Sequence, residues 1–253
     1  MSAIPGPQSG DPARADALMT VNARPEWDEA RSVLVHVSQV LPRVRWELSR
    51  MRLDVLDAHL RLARLAAPRL SGGRGAPAAE RGVLLRGIVV SCEQGAAAGA
   101  QVDRKLQDGI AGLKAAAVLA GAGRAVGTHE ELAQVRLLRD LEDLRTQLGA
   151  TGTTLAGSAT SLREVADRAR TVSLTIAGNG DGVGDGRTVQ RLHGMVQAAA
   201  NQARYGDQDL DRAQARTSEL VTQVRAQARD SGLRTRALRH DVGPPAPSNG
   251  TPR

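Results

Sequence analysis

The chain has 253 residues, enough for one large domain or two small ones, and 24% of them are charged and 41% apolar. It contains no Phe, one Tyr (Tyr205) and two Trp (Trp27, Trp46), so its apolar residues are mainly Ala, Val and Leu, which argues against sandwiches and barrels and suits helices packed side by side. The formal net charge of +7 bears on solubility and non-specific attraction rather than on fold, and a single cysteine, Cys92, excludes an intramolecular disulfide and a cysteine-based zinc site.

Residues 1–22 hold Pro5, Pro7 and Pro12 among Gly, Ser and Asp and read as a disordered tail. No basic stretch followed by an apolar one marks a signal peptide, and the longest uncharged run, AAAVLAGAG at 115–123, is far short of the ~20 residues that span a bilayer. The expectation is a cytoplasmic protein with no membrane span; export without a signal peptide stays open. Breaks at 67–77 (APRLSGGRGAP), 123–127 (GRAVG) and 178–186 (GNGDGVGDG) divide residues 23–241 into four helical segments, about 25–66, 78–122, 128–177 and 187–239.

The first segment opens with Pro25, Glu26, Asp28 and Glu29, residues suited to a first helical turn. Its apolar residues recur every eleven, as Val33, Val44, Val55 and Ala66, with parallel rows at Val40, Met51, Leu62 and at Val37, Leu48, His59, a period that keeps a helix straight or slightly right-handed. Pro42 should kink or break it near Leu41. The second segment offers Gly95, Gly99, Gly109, Gly112, Ala116 and Ala120 for close approach of a neighbour, although VLLRGIVVS at 83–91 alone would pass for a strand. The third opens on a capping box, Thr128 to Glu131, and continues with Leu137, Leu141, Leu144 and Leu148. GATG at 149–152 should interrupt it before Leu155, Leu162, Ala169 and Ile176. The fourth has the longest seam, from Val189 through Ala199, Ala203 and Gly206 to Val224 in strict 3-4 alternation. Residues 242–253, VGPPAPSNGTPR, read as a second disordered tail. Short connections between long helices predict an all-α fold, an elongated, antiparallel, coiled-coil-like four-helix bundle with disordered N- and C-terminal tails.

Five stretches invite a chemical reading. GNGDGVGDG places Asn179, Asp181 and Asp185 among glycines and resembles a fragment of a thrombospondin type 3 calcium repeat. Counted as a hexadentate calcium loop, its two end positions fall on Ala177 and Thr188, which supply no ligand, so it reads as a helix end and turn. VLAGAGRAVG at 118–127 resembles the phosphate loop of short-chain dehydrogenases, with Ala125 where that family has glycine and Asp209 where its Tyr-x-x-x-Lys pair would put lysine. The histidines, His36, His59, His129, His193 and His240, form no metal-binding spacing; His59 lies on an apolar row and Cys92 has no local base. No catalytic residue, cofactor site or metal site is expected, and no enzyme.

The last two stretches concern partners. Arg43, Arg45, Arg50, Arg52, Arg61, Arg64 and Arg69 crowd the first segment, and Arg212, Arg216, Arg225 and Arg229 the last, followed by Arg234, Arg236 and Arg239. Such a track would follow a phosphate backbone, but it lacks the aromatic residues on which bases stack, so anion or nucleic-acid binding ranks behind a solvated helix face. Residues 151–209, a helix, a glycine loop and a second helix ending in Tyr205-x-x-x-Asp209, are similar to the helical-hairpin substrates of actinobacterial type VII secretion, which implies export through Tyr205 and Asp209. The leading expectation is a non-enzymatic helical protein that acts by association with a protein partner or with itself.

Overall fold

The structure, a computed structural model, describes residues 25–70, 77–123, 128–179 and 186–241. It is an all-α four-helix bundle: α1 (Pro25–Leu70), α2 (Ala78–Ala122), α3 (Thr128–Asn179) and α4 (Gly186–Asp241). The expected tails lie outside the described residues, as do Asp181 and Asp185.

Each helix packs on two others, in the ring α1–α2–α3–α4 closed by α4 against α1. Neighbours run antiparallel. Going up α1, Trp27 meets Gly123, Val37 meets Gly112, Glu47 meets Lys105 and Asp57 meets Ser91 on α2. The same inversion joins Ala159 of α3 to Gly99 of α2, Ser158 of α3 to Gln202 of α4, and His59 of α1 to His193 of α4. At about 1.5 Å per residue, helices of 45 to 56 residues are roughly 68–84 Å long.

The interior is a set of 3-4 seams, one per helix. In α1 the buried 3-4 seam is Trp27, Ala30, Leu34, Val37, Leu41, Val44, Leu48, Met51, Val55, Ala58, Leu62 and Leu65, with Val40 and Glu47 also buried beside it. That is a seven-residue repeat; of the eleven-residue rows, Val40, Met51 and Leu62 are all buried, whereas Val33 and Ala66 pack only partly and His59 stays half-exposed. The helix runs unbroken through Pro42. The proline is exposed, so the carbonyl it leaves unpaired one turn earlier can meet water, while Leu41 and Val44 on either side are fully buried and hold the register. The second segment is helical throughout, VLLRGIVVS included, because its seam also turns every 3-4 residues from Leu85 to Gly123.

α3 likewise continues through Gly149 and Gly152. Each glycine costs about 1 kcal/mol in a helix, but Leu148 and Leu155 on either side are fully buried and Gly152 is itself interior. Thr151 and Ser158 take seam positions, where their hydroxyls donate to Gln147 O (3.0 Å) and Gln202 Oε1 (2.6 Å) and so bury no unpaired group. The helix starts at Thr128 itself, so the residue expected to cap it is already its first residue. A side chain from another element caps α2: Gln134 Nε2 of α3 donates to Ala120 O (2.6 Å) and Gly123 O (2.7 Å), two carbonyls left over at the helix end.

Of the glycines expected to allow close approach, Gly95, Gly99 and Gly112 do so. A Cβ on Gly99 would lie 2.8 Å from Ala159 Cβ, and one on Gly112 would lie 2.6 Å from Val37 Cγ2. Gly109 does not serve this purpose, since a Cβ there meets nothing within 4 Å. On α4, Gly206 admits Leu155 at 2.8 Å.

Candidate interaction surface

α1 carries a second apolar stripe on its outer side. Val35, Pro42, Trp46, Leu53, Leu56, Leu60 and Ala63 follow the same 3-4 alternation as its buried seam, with Gln39 and Ser49 filling the two remaining positions, and all nine are exposed. With about 100° between residues, the two stripes lie roughly 160° apart on the helix. Trp46 is 60% exposed, Leu53 66%, and Leu56 and Leu60 51% each. The other large exposed apolar side chains among the described residues form shorter sets, such as Val83 and Val90 on α2 and Leu132 and Val135 on α3.

Beside this stripe, α1 and α4 enclose an open cleft of about 500 Å³. Ser49, Leu53 and Leu56 form its α1 wall, Gln197, Ala200 and Asn201 its α4 wall, and Arg52 and Arg204 stand at its sides. His59 also reaches it and stacks on His193, with ring centroids 4.5 Å apart at 39°. His59 Nδ1 is buried without a hydrogen-bond partner among the described residues. Burial, and then the neighbouring His193, hold the His59 pKa below the ordinary histidine value. No sequence spacing pointed to this pair, because the two histidines lie on different helices.

The rim of the stripe is basic. Arg43, Arg50 and Arg64 flank it on the α2 side with Asp57, and Arg45 and Arg52 flank it on the α4 side with His59. Arg45 pairs with Asp207 (3.3 Å) and Asp211 (2.6 Å), and Arg52 pairs with Asp207 (2.7 Å). Arg50 reaches Glu47 at 3.3 Å and lies over the Trp46 ring, its guanidinium carbon 5.1 Å from the centroid. Glu47 is buried and is bonded by Lys105 of α2 at 2.8 Å. Asp57 accepts from Arg61 (2.7 Å) and from Ser91 of α2; Arg61 foremost, then Ser91, draws its pKa below the usual carboxylate range. Asp54 is shifted upward, chiefly by desolvation. Arg43 and Arg204 make no hydrogen bond or ion pair among the described residues.

The residues singled out in the sequence fall elsewhere. Asn179 is the last residue of α3, and no group of three His, Cys, Asp or Glu side chains gathers among the described residues. Tyr205 and Asp209 stand one turn apart on α4, with Tyr205 63% exposed and Asp209 paired to Arg212 (3.3 Å). Arg216 bonds Asp140 of α3 (2.7 Å) and lies 3.7 Å from Asp143. Arg212 and Arg216 thus line a cleft of about 370 Å³ that already contains Asp140 and Glu219, while Arg225 and Arg229 are exposed further along. No described helix is long and apolar enough to cross a membrane. Compared with known protein families, curated proteins and solved structures, the chain matches none.

Proposed function

We propose that this chain is a non-enzymatic helical interaction protein, and that it associates with another polypeptide through a coiled-coil-type contact on the outer side of α1. One observation carries the reading: the stripe Trp46, Leu53, Leu56, Leu60 has the spacing of a packing seam, yet it faces solvent. The inward seams satisfy one another within the ring, so this outward one has no use in the fold of a single chain. Contiguous exposed apolar surface rimmed by polar groups marks interaction sites. A Trp with an Arg beside it is the side-chain combination that dominates binding energy at such contacts.

The test is a photo-activated cross-linker placed at position 53 or 56 of the full chain in the cells that make it, with position 218 on α4 as the control. Cross-links to a polypeptide from 53 and 56, and none from 218, are expected. Equal yields at all three positions, or none at any, would sink the reading. A second reading, a helical substrate of a dedicated secretion system, is favoured by the outward presentation of Tyr205 one turn from Asp209. Tyr205→Ala should then retain the protein inside the cell, and unchanged export, or a protein never found outside, would remove this reading.

A further inference from the structure

We infer that the occupant of the outer stripe of α1 is an acidic amphipathic helix, laid over the α1–α4 groove with Asp or Glu at the positions flanking its own apolar seam. The inference rests on the interaction reading above and adds the chemistry of the partner.

The argument is one of charge at fixed positions. When two helices pack through 3-4 seams, the residues flanking one seam face those flanking the other, and these pairs select partner and direction. Here the flanking positions hold five arginines (Arg43, Arg45, Arg50, Arg52, Arg64) against one carboxylate, Asp57, which Arg61 and Ser91 already engage. Arg45 and Arg52 are themselves paired with Asp207 and Asp211 of α4, and Arg50 with Glu47, which leaves Arg43 and Arg64 without an ion pair among the described residues. Arg204 adds a further cation where α4 borders the groove. A second copy of α1 would set arginine against arginine whether it lay parallel or antiparallel. Like charges so placed disfavour a partner, so self-pairing through this face is opposed by the same residues that invite an acidic helix. A nucleic-acid strand would use the arginines but leave Leu53, Leu56 and Leu60 facing its phosphates.

The groove also suits a helix rather than an extended peptide. Its α4 wall is built on Gln197, Ala200, Asn201 and Arg204, residues one helical turn apart, with the small Ala200 at the centre. Gln197 Nε2 donates to Asn201 Oδ1 (3.3 Å), which leaves amide groups able to bond polar side chains of an incoming helix. Trp46, with Arg50 over its ring, stands on the stripe one turn before Ser49, the first α1 residue of the groove.

The experiment uses the full chain and three fluorescent peptides about four heptads long, each with Leu along its seam and with Glu, Gln or Lys at every flanking position. Anisotropy titrations should show the Glu peptide binding, and the Lys peptide should be weaker by at least about tenfold, with the gap narrowing as salt rises. Leu53→Asp combined with Leu56→Asp, both on exposed positions, should abolish binding while circular dichroism is unchanged. Arg43→Glu, Arg64→Glu and Arg204→Glu together should invert the preference toward the Lys peptide. Equal binding of the three peptides, survival of binding in the Leu variant, or no binding of any peptide would each overturn the inference. So would a dimer, seen by sedimentation, that Leu53→Asp dissociates, because a second copy would then hold the face. If position 56 cross-links to a protein in cells while the Glu peptide fails to bind, the interaction reading stands and only the acidic-helix inference falls.

Discussion

Cys92 lies in the α2 seam with no solvent exposure, and burial, with Glu93 next to it, pushes its thiol up to about 12. The reactive thiolate is therefore absent near neutral pH, and any reagent must wait for the bundle to open. A maleimide or disulfide reagent should label the native protein no faster than it unfolds, and quickly in denaturant; labelling at the rate of a free thiol would mean that the seam is open. The His59–His193 contact makes a second residue-scale prediction. Its folded-state pKa is held below the ordinary 6.5 by burial and by His193, so the folded protein takes up the proton less readily than the unfolded chain. Stability from this site is complete above about pH 6.5 and declines as the pH falls from there through the folded pKa. Urea midpoints should drop between pH 7.5 and 5.5, and His59→Leu should flatten that slope. An unchanged slope in the variant would place the effect on other groups.

At the scale of the helix, glycine has opposite consequences at two positions of α2. Gly99→Ala gains helix propensity, but its methyl would sit 2.8 Å from Ala159 Cβ, a short, rigid neighbour that cannot swing away. The helices must part, and a loss of about 1–3 kcal/mol is expected. Gly109→Ala meets nothing within 4 Å and should stabilise by about 0.5–1 kcal/mol. Denaturant unfolding of the two variants checks the pair, and the same sign for both would mean that α2 and α3 do not approach at Gly99. The contrast also shows how far sequence reading reaches. Small residues at 3-4 spacing mark a helix that packs closely, but which glycine bears the contact depends on the register of a partner that sequence periodicity does not supply. The α3 seam was hidden for a related reason. Thr151 and Ser158 look like loop chemistry beside Gly149 and Gly152, and only Gln202, arriving from α4, together with the buried leucines on either side makes them interior residues. In α1 the eleven-residue rows mixed positions from the inner and lateral faces because Val occurs on both. The outer stripe of Trp46, Leu53, Leu56 and Leu60 was missed in the sequence, because a helix with apolar residues on two sides does not say which side faces inward until its neighbours are placed.

The whole molecule is uneven around its ring. α2 has the most extensive contacts, against α1 and α3, through the close approaches at Gly95, Gly99 and Gly112, whereas α4 is the less extensively packed neighbour of both α1 and α3. α4 joins the core through its apolar seam from Val189 to Val224, and ion pairs near the surface add to it: Arg45 and Arg52 to Asp207, Arg45 to Asp211, and Arg216 to Asp140. Such pairs contribute little each, about 0–1 kcal/mol, and salt screens them. The groove that α4 shares with the outer stripe of α1 is therefore bordered by the helix expected to open first. A helix docking there would add contacts to α1 and α4 at once and should tighten that seam. Local opening follows local contact density, which gives an order testable by hydrogen exchange read by mass spectrometry. Peptides from α4 between Val189 and Val224 should exchange before those of α2 between Leu85 and Ala120, and raising the salt should speed α4 more than α2. Equal protection of the two helices at low and high salt would mean that the ring opens only as one unit and that the ion pairs on α4 have no part in holding it.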